Sequence, residues 1–541
     1  MKEPDRLELD EAQFHALEQR LASRQLDPQD YEWLRVILNT VRYLSRMVQQ
    51  KATSIQRLLR LIFGARTEKT RHVFPPAPQA PAVEESGGSS RLGGGTTSPK
   101  RPGHGRRAAA EYSGAEKVDV AHERFKPGDG CPACGSGKLY DTQRPAVLLR
   151  VRAQPPIGAT RFGLQALRCA TCGQVFTAAA PDEAGQEKYD PNVAPMLAFL
   201  RYGCGLPMNR IEQMQRDSGV PLPAGTQWDL LAGFFAEISP LWAEFVRQAG
   251  DGELLHNDDT VARILSVEKL IRQERSQPDA DPKGRTGIFT TGILSVRHAH
   301  TIAVFFSGRR HAGENLQEVL AHRDPALPTP IQMSDGLSRN QPASAPTLQA
   351  NCNAHGRREF VEVAHAFPEP CAYVLETFQT LYQHEAQTRA QAMNPQRRLT
   401  YHQEHSGPLM ENLHQWLQRQ MDSQQVEPNS DLGGAIQYLL KRWDRLTLFL
   451  RHPGVPIDNN AVERALKLAI RHRNNSLFYK TENGAHVGDL FMSLIHTCRL
   501  CGANPFDYLC ALRRYAERIR LDASAWMPWN YKTTVEALLG A

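Results

Sequence analysis

Three acidic positions carry residue types that could do chemistry together. Asp258 and Asp259 close a strand-like stretch in ELLHNDDT, Asp335 ends another in PIQMSDG, and Glu463 opens a helical pattern in IDNNAVERALKLAI. Neighbouring strand ends can bring two aspartates close, and a helix packed at that edge can supply a third carboxylate. Converging oxygen donors attract hard divalent ions such as Mg²⁺, with Mn²⁺ as a stand-in. Two such ions can activate the attacking oxygen and stabilise the leaving oxygen of an in-line phosphoryl displacement. Each acid also has a local reading: a strand-end turn at Asp258-Asp259-Thr260, a turn dipeptide at Asp335-Gly336, and a capping box at Asn460-x-x-Glu463. Spacing alone leaves both readings open, and leaves open which of Asp258 and Asp259 would serve.

The ten cysteines supply a second chemistry. Cys131/Cys134 and Cys169/Cys172 are C-x-x-C pairs, each followed by glycine, and together offer four thiolates for a tetrahedral Zn²⁺. A closed four-sulfur site has no open position, so this zinc is expected to be structural. Cys352-x-x-His355 has no obvious partner pair and reads as structural. Cys498-x-x-Cys501 lies in a helical pattern and reads as helix packing.

Basic residues mark where phosphate would sit. Arg464, Lys467, Arg471, Arg473 and Lys480 follow Glu463 with no acid before Glu482, a run expected to meet a phosphate backbone. Overall, 64 Lys+Arg against 58 Asp+Glu give only +6, but residues 51–107 hold eleven basic residues against three acidic ones. Within that stretch Lys100, Arg101, Arg106 and Arg107 flank Pro and Gly; the strip suits a DNA groove or a solubilising tether equally.

These groups must be positioned by elements legible in the pattern. Leu34, Ile37, Val41, Leu44, Val48, Ile55, Leu58 and Ile62 keep a 3-4 spacing interrupted at Lys51, which predicts a coiled coil over 1–72 and a homodimer or higher oligomer. Residues 73–116 read as a flexible Pro/Gly-rich basic linker, and 117–180 as the zinc-ribbon-like module. Residues 181–250 are helical, with a helix-turn-helix pattern built on Ile211, Met214, Ser218-Gly219 and Thr226–Phe235. Strands then dominate from Glu253. The order of strands, a helical block near 356–450 and a late helix predicts an α/β core over 251–480 with an all-helical insertion, followed by a helical tail over 481–541.

With 541 residues, 41% hydrophobic and 23% charged, the chain is an ordinary multidomain globular protein of mixed α+β class. Its polar, acidic start lacks a secretory signal and no apolar run reaches about 18 residues, so a cytoplasmic protein without a membrane partner is expected.

The strings LIFGARTEK, CPACG with CATCG, LHNDDT, SDG, NCNAHGRREF and IDNNAVERALKLAIRHRNNSLF, in this order over roughly residues 30–520, resemble the transposases of IS-sixty-six-type bacterial insertion sequences. The resemblance implies a DDE transposase with an RNase H-like core. Its Asp-acid-Thr pattern falls on Asp258, the second aspartate on Asp335 and the glutamate on Glu463. It further implies two catalytic Mg²⁺ ions, cleavage at the terminal inverted repeats, and transfer of the freed 3′-hydroxyl into double-stranded target DNA. A nucleoid-associated location and accessory proteins from the same element would accompany that activity. Two rival classes share parts of the pattern: a zinc-bearing dimeric DNA-binding regulator without catalysis, and an RNase H-like nuclease that cuts without joining.

Overall fold

A computed structural model describes stretches within residues 17–36, 124–139 and 156–168, and then 175–277, 284–298 and 300–540. The heptad positions after Leu34, the linker strip with Lys100, Arg101, Arg106 and Arg107, and the pair Cys169/Cys172 lie outside the described residues. Five strands form the αβ part: β1 (Leu254–Val261), β2 (Phe289–Arg297), β3 (His300–Gly308), β4 (Ile331–Ser334) and β5 (Leu348–Asn351). The helices used below are, in chain order, α1 (Met208–Asp217), α2 (Ala224–Ile238), α3 (Asn353–Val363), α4 (Pro368–Ala390), α5 (Pro395–His405), α6 (Gly407–Asp422), α7 (Asp431–Lys441), α8 (Asn460–Ser476) and α9 (Glu482–Leu500). The chain divides into two compact units, and the division falls within β1 after Asp258 and within α8 after Glu463.

The first unit gathers residues 253–258 and 328–463. Here β1, β4 and β5 pair in parallel, with His256 opposite Met333 and Met333 opposite Ala350. Parallel strands need both faces covered, and long crossovers to connect them. The helices α3, α4, α6 and α7 pack against these strands, because Phe360, Phe378, Leu381, Leu413, Leu417, Ile436 and Leu439 form one buried cluster with Met333 and Ala350. The helical block thus shares a core with the strands that precede it. It also holds a buried charge: Glu385 accepts hydrogen bonds from Arg389 and Arg398 and contacts His402 Nε2 at 3.0 Å. Burial alone would raise this carboxyl, but His402 and the arginines override it and hold the group at about 2.

The second unit gathers the described residues from 124 to 252, 259–327 and 464–540. Its strands β2 and β3 form an antiparallel hairpin, Phe289 opposite Gly308 and Arg297 opposite His300, around His298 with a positive φ of 50°. An exposed strand edge is a template for wrong pairing. Here α9 covers it with side chains: Thr497 Oγ1, Ser493 Oγ and Asp489 Oδ2 accept from the backbone N–H groups of Ala303, Phe305 and Ser307 at 3.0, 3.0 and 2.7 Å. The fit is one of pitch. Four helical residues advance about 6 Å, and two strand residues about 6.8 Å, so each turn of α9 meets the next free amide.

The same unit contains α1 and α2, joined through Gly219 at φ +77°, with Ile211 and then Gln227, Leu231, Phe234 and Ile238 facing inward. Cys498 is fully buried in α9 and the Cys501 thiol donates to the Thr301 carbonyl at 3.7 Å, so this C-x-x-C packs a helix end. Among the described residues, no helix is long and apolar enough to cross a membrane.

The Asp489 ladder has a pH signature. Burial raises its carboxyl to about 7, against the lowering pull of two hydrogen bonds from Ser307. Stability contributed by this acid is therefore complete below the ordinary value of 3.8 and is lost as pH rises through about 7. Thermal unfolding of wild type and Asp489→Asn across that window should show a declining component in wild type that the variant lacks. Identical slopes would contradict it.

Candidate active site

The structure ties the three predicted acids to one short piece of β1. Asn257 is fully buried, immediately before Asp258, and is bonded on both its main chain and its side chain. Its side-chain amide donates to the Asn340 carbonyl at 2.7 Å and accepts from Gln332 Nε2 at 3.0 Å. Asn340 in turn donates its own amide to Asp335 Oδ1 at 2.7 Å. The Asn257 carbonyl accepts Asn459 Nδ2 at 3.2 Å, and Asn459 is the residue from which α8 starts.

Asn459 fixes more than a distance. With Nδ2 committed to a carbonyl, its Oδ1 must accept, so His256 donates through Nδ1 at 2.9 Å and its tautomer is set. His256 and Asp258 are two apart on β1 and share a face. The register pairs Leu254 with Ile331 and His256 with Met333, and Asp258 and Asp335 each follow two residues further along their chains.

Each acid can be placed against its local reading. Asp335 does make the expected turn, its Oδ1 accepting from Leu337 N at 2.9 Å, and Gly336 follows at φ +84° with Asn351 and Arg442 so close that a Cβ would crowd both. Asp335 is also nearly buried, and Tyr438 Oη donates to its carbonyl at 3.0 Å. Glu463 does not make the capping-box bond. The Asn460 amide is taken by Asp458 Oδ1 at 3.1 Å and the Asn459 amide by Cys352 Sγ at 3.2 Å. Glu463 Oε1 is buried without a hydrogen-bond partner. Asp259, the alternative to Asp258, is engaged elsewhere: its Oδ2 lies 3.1 Å from His311 Nδ1.

Beside Glu463 stand two residues the sequence left as structural. Cys352, His355 and Glu463 offer ligating atoms that all lie within 4.8 Å of one another, the one such group of three among the described residues. His355 Nδ1 is 3.9 Å from Glu463 Oε1 and is likewise buried without a hydrogen-bond partner. Burial pushes the Cys352 thiol up to about 12, although backbone N–H groups of Asn459, His355 and Ala354 donate toward its sulfur. The missing signal in the sequence was the partner, which lies on a helix more than a hundred residues downstream.

The basic run divides in two. Arg464, Lys467 and Arg471 are exposed and fall three and four residues apart, one stripe along α8. Arg473 turns inward and donates to Thr260 Oγ1 and the Val261 carbonyl. Of the cysteine pairs, Cys131 and Cys134 sit on a turn closed by Cys131 N to the Gly137 carbonyl at 2.7 Å. The strands Ala166–Arg168 and Val175–Thr177 pair antiparallel on either side of the second pair. Ser406, His402 and Glu385 have the contacts of a hydrolytic relay, yet Ser406 and His402 are wholly buried, so they brace α4 against α5.

The chain is similar to "Uncharacterized protein y4jD" of Sinorhizobium fredii (strain NBRC 101917 / NGR234), 26% identical over 547 residues, 91% of this chain and 96% of that one. It is also similar to "Uncharacterized protein y4hP" of the same organism, 25% identical over 441 residues, 76% of each chain. The family described as Transposase IS66 family matches residues 187–487, a span that includes Asp258, Asp335, Cys352, His355 and Glu463. That match extends over more than half of the chain, so this protein belongs to the IS66 family of transposases.

Proposed function

We propose that this transposase uses Asp258, Asp335 and Glu463 as a DDE site for two-metal cleavage at the element's ends and joining of the 3′-hydroxyl to target DNA, on an RNase H-like core. The observation that supports the reading is the pair of hydrogen bonds at Asn257, its side chain donating to Asn340 beside the Asp335 turn and its carbonyl accepting from Asn459 before the Glu463 helix. The donor set fits hard ions: three carboxylates, with both hydrogen bonds to Asp335 falling on Oδ1, and a Glu463 oxygen buried without a partner. When bound, a pair of Mg²⁺ or Mn²⁺ ions would lower the pKa of the attacking water and stabilise the leaving oxygen.

The chain's own residues do the rest. Asn340 holds the Asp335 carboxylate and Asn459 holds the start of the helix that carries Glu463, so the backbone at both places needs little reorganisation when the phosphate arrives. Arg464, Lys467 and Arg471 face solvent on α8, whose first turn carries Glu463, where they can pair with a duplex backbone. Cys131, Cys134, Cys169 and Cys172 would clamp one structural zinc ion. The N-terminal heptads would join two copies, with Lys100, Arg101, Arg106 and Arg107 on the linker adding phosphate contacts.

The test is cleavage and joining of duplexes carrying the element's terminal repeats in Mg²⁺. Asp258→Asn, Asp335→Asn and Glu463→Gln should each lose at least about a hundredfold in rate, the scale of several kcal/mol of charge stabilisation. Wild-type rates in any one of them would overturn the assignment, and cut but unjoined ends would leave a nuclease. Asn459→Ala acts through position, so its rate should fall about a hundredfold while the Mg²⁺ concentration needed for half-maximal rate rises; a rate loss at unchanged Mg²⁺ requirement would contradict the clamp. Replacing Arg464 or Lys467 by Ala should reduce the slope of log affinity against log salt by about one each. An unchanged slope removes that residue from the DNA interface.

A further inference from the structure

The pair Cys352-x-x-His355 and the glutamate Glu463 come together although nothing in the proposed two-ion chemistry uses the sulfur or the imidazole. We propose that Cys352, His355 and Glu463 form a second cation site, selective for a borderline-soft divalent transition ion of the zinc and cobalt class over magnesium. The proposal deepens the active-site reading and rests on it in one respect, the role given to Glu463.

Three observations converge. The sulfur, a ring nitrogen and a carboxylate oxygen lie within 4.8 Å of one another. Two of these atoms, His355 Nδ1 and Glu463 Oε1, are buried, have no hydrogen-bond partner and face each other at 3.9 Å. Buried polar atoms are almost always paired, and two orphans aimed at one point indicate a missing partner that accepts lone pairs from both. The sulfur completes the set: it receives the Asn459 N–H at 3.2 Å, the kind of backbone donor that stabilises a ligating thiolate.

The donor types choose the ion. Mixed S, N and O ligands suit zinc and its neighbours, whereas magnesium requires oxygen in octahedral array. Three protein ligands leave one tetrahedral position open. Ligands around such an ion stand roughly 3.5 Å apart, so the group must contract. Both moving side chains can do so, being 22% and 30% exposed for His355 and Glu463, while Cys352 is fixed in the core. On binding, the thiol proton passes to solvent and a sulfur–metal bond replaces it, with no change of oxidation state. Because Glu463 is shared, the transition ion withdraws a carboxylate from the magnesium pair, and occupancy of this site inhibits cleavage.

The experiment is a titration of the full-length protein with Co²⁺, followed by thiolate-to-cobalt charge-transfer absorption. The difference between wild type and Cys352→Ser isolates this site from the four-cysteine module. Wild type should show an extra component that Cys352→Ser lacks. His355→Ala, at a part-exposed position where misfolding is not a concern, should weaken it at least about tenfold. Zn²⁺ inhibition of end cleavage, measured relative to each protein's own rate, should weaken by the same factor in His355→Ala. Identical Co²⁺ titrations in wild type, Cys352→Ser and His355→Ala would overturn the site and leave a simple His355–Glu463 ion pair. Asp335→Asn separates the two claims: it should titrate with Co²⁺ like wild type. Full cleavage by Asp335→Asn would sink the active-site reading alone, and a missing Co²⁺ component alongside an inactive Asp335→Asn would sink only the second site.

Discussion

One buried asparagine sets the geometry on which the site depends. Asn257 spends its side chain on the loop after β4 and its carbonyl on the residue that starts α8. A hydrogen bond to a buried amide contributes only about 1 kcal/mol net. Leaving its partners unsatisfied costs more, about 1–3 kcal/mol for each group. The network is therefore high in specificity relative to its stabilisation: it selects one arrangement of strand, loop and helix from several that a hydrophobic core of similar composition would tolerate. The acids at Asp258, Asp335 and Glu463 inherit that arrangement.

The same economy of polar side chains recurs in the second unit. Asp489, Ser493 and Thr497 substitute for a missing strand along β3, and they can do so because an i, i+4 helix spacing nearly matches two strand residues. An aromatic stack then fixes the later turns of α8, with His472 between Tyr202 and Tyr479 at ring distances of 5.8 and 4.6 Å. Burial lowers that imidazole to about 3, so it stays neutral and serves as a flat packing surface. In the first unit, the helical insertion is held to the strands by a shared apolar cluster rather than by a hinge-like linker.

Much of this was legible in the sequence, for identifiable reasons. The strand end at Asp335 was marked by turn chemistry, the helix at Glu463 by its 3.6-residue apolar period and the helical block by its pattern, whereas Asp258 lies inside β1, which runs on to Val261, and not at a strand-end turn. The choice between Asp258 and Asp259 rests on resemblance; the structure adds that Asp259 Oδ2 lies 3.1 Å from His311 Nδ1. What could not be read were contacts whose members are far apart in the chain. Asn257, Asn340 and Asn459 look like ordinary turn or cap residues until the fold joins them. Cys352 and His355 looked unpartnered because Glu463 stands on a different helix. Arg473 read as part of a basic face, although backbone geometry turns it onto Thr260 and Val261.

The central claim is that three remote carboxylates hold a pair of divalent ions. Electron paramagnetic resonance of the full-length protein loaded with Mn²⁺ tests it directly, because two ions about 4 Å apart couple magnetically and a single ion does not. The account predicts a coupled pair in wild type that is lost in Asp258→Asn, Asp335→Asn and Glu463→Gln. Uncoupled manganese in wild type, or a coupled signal that survives these substitutions, would contradict it.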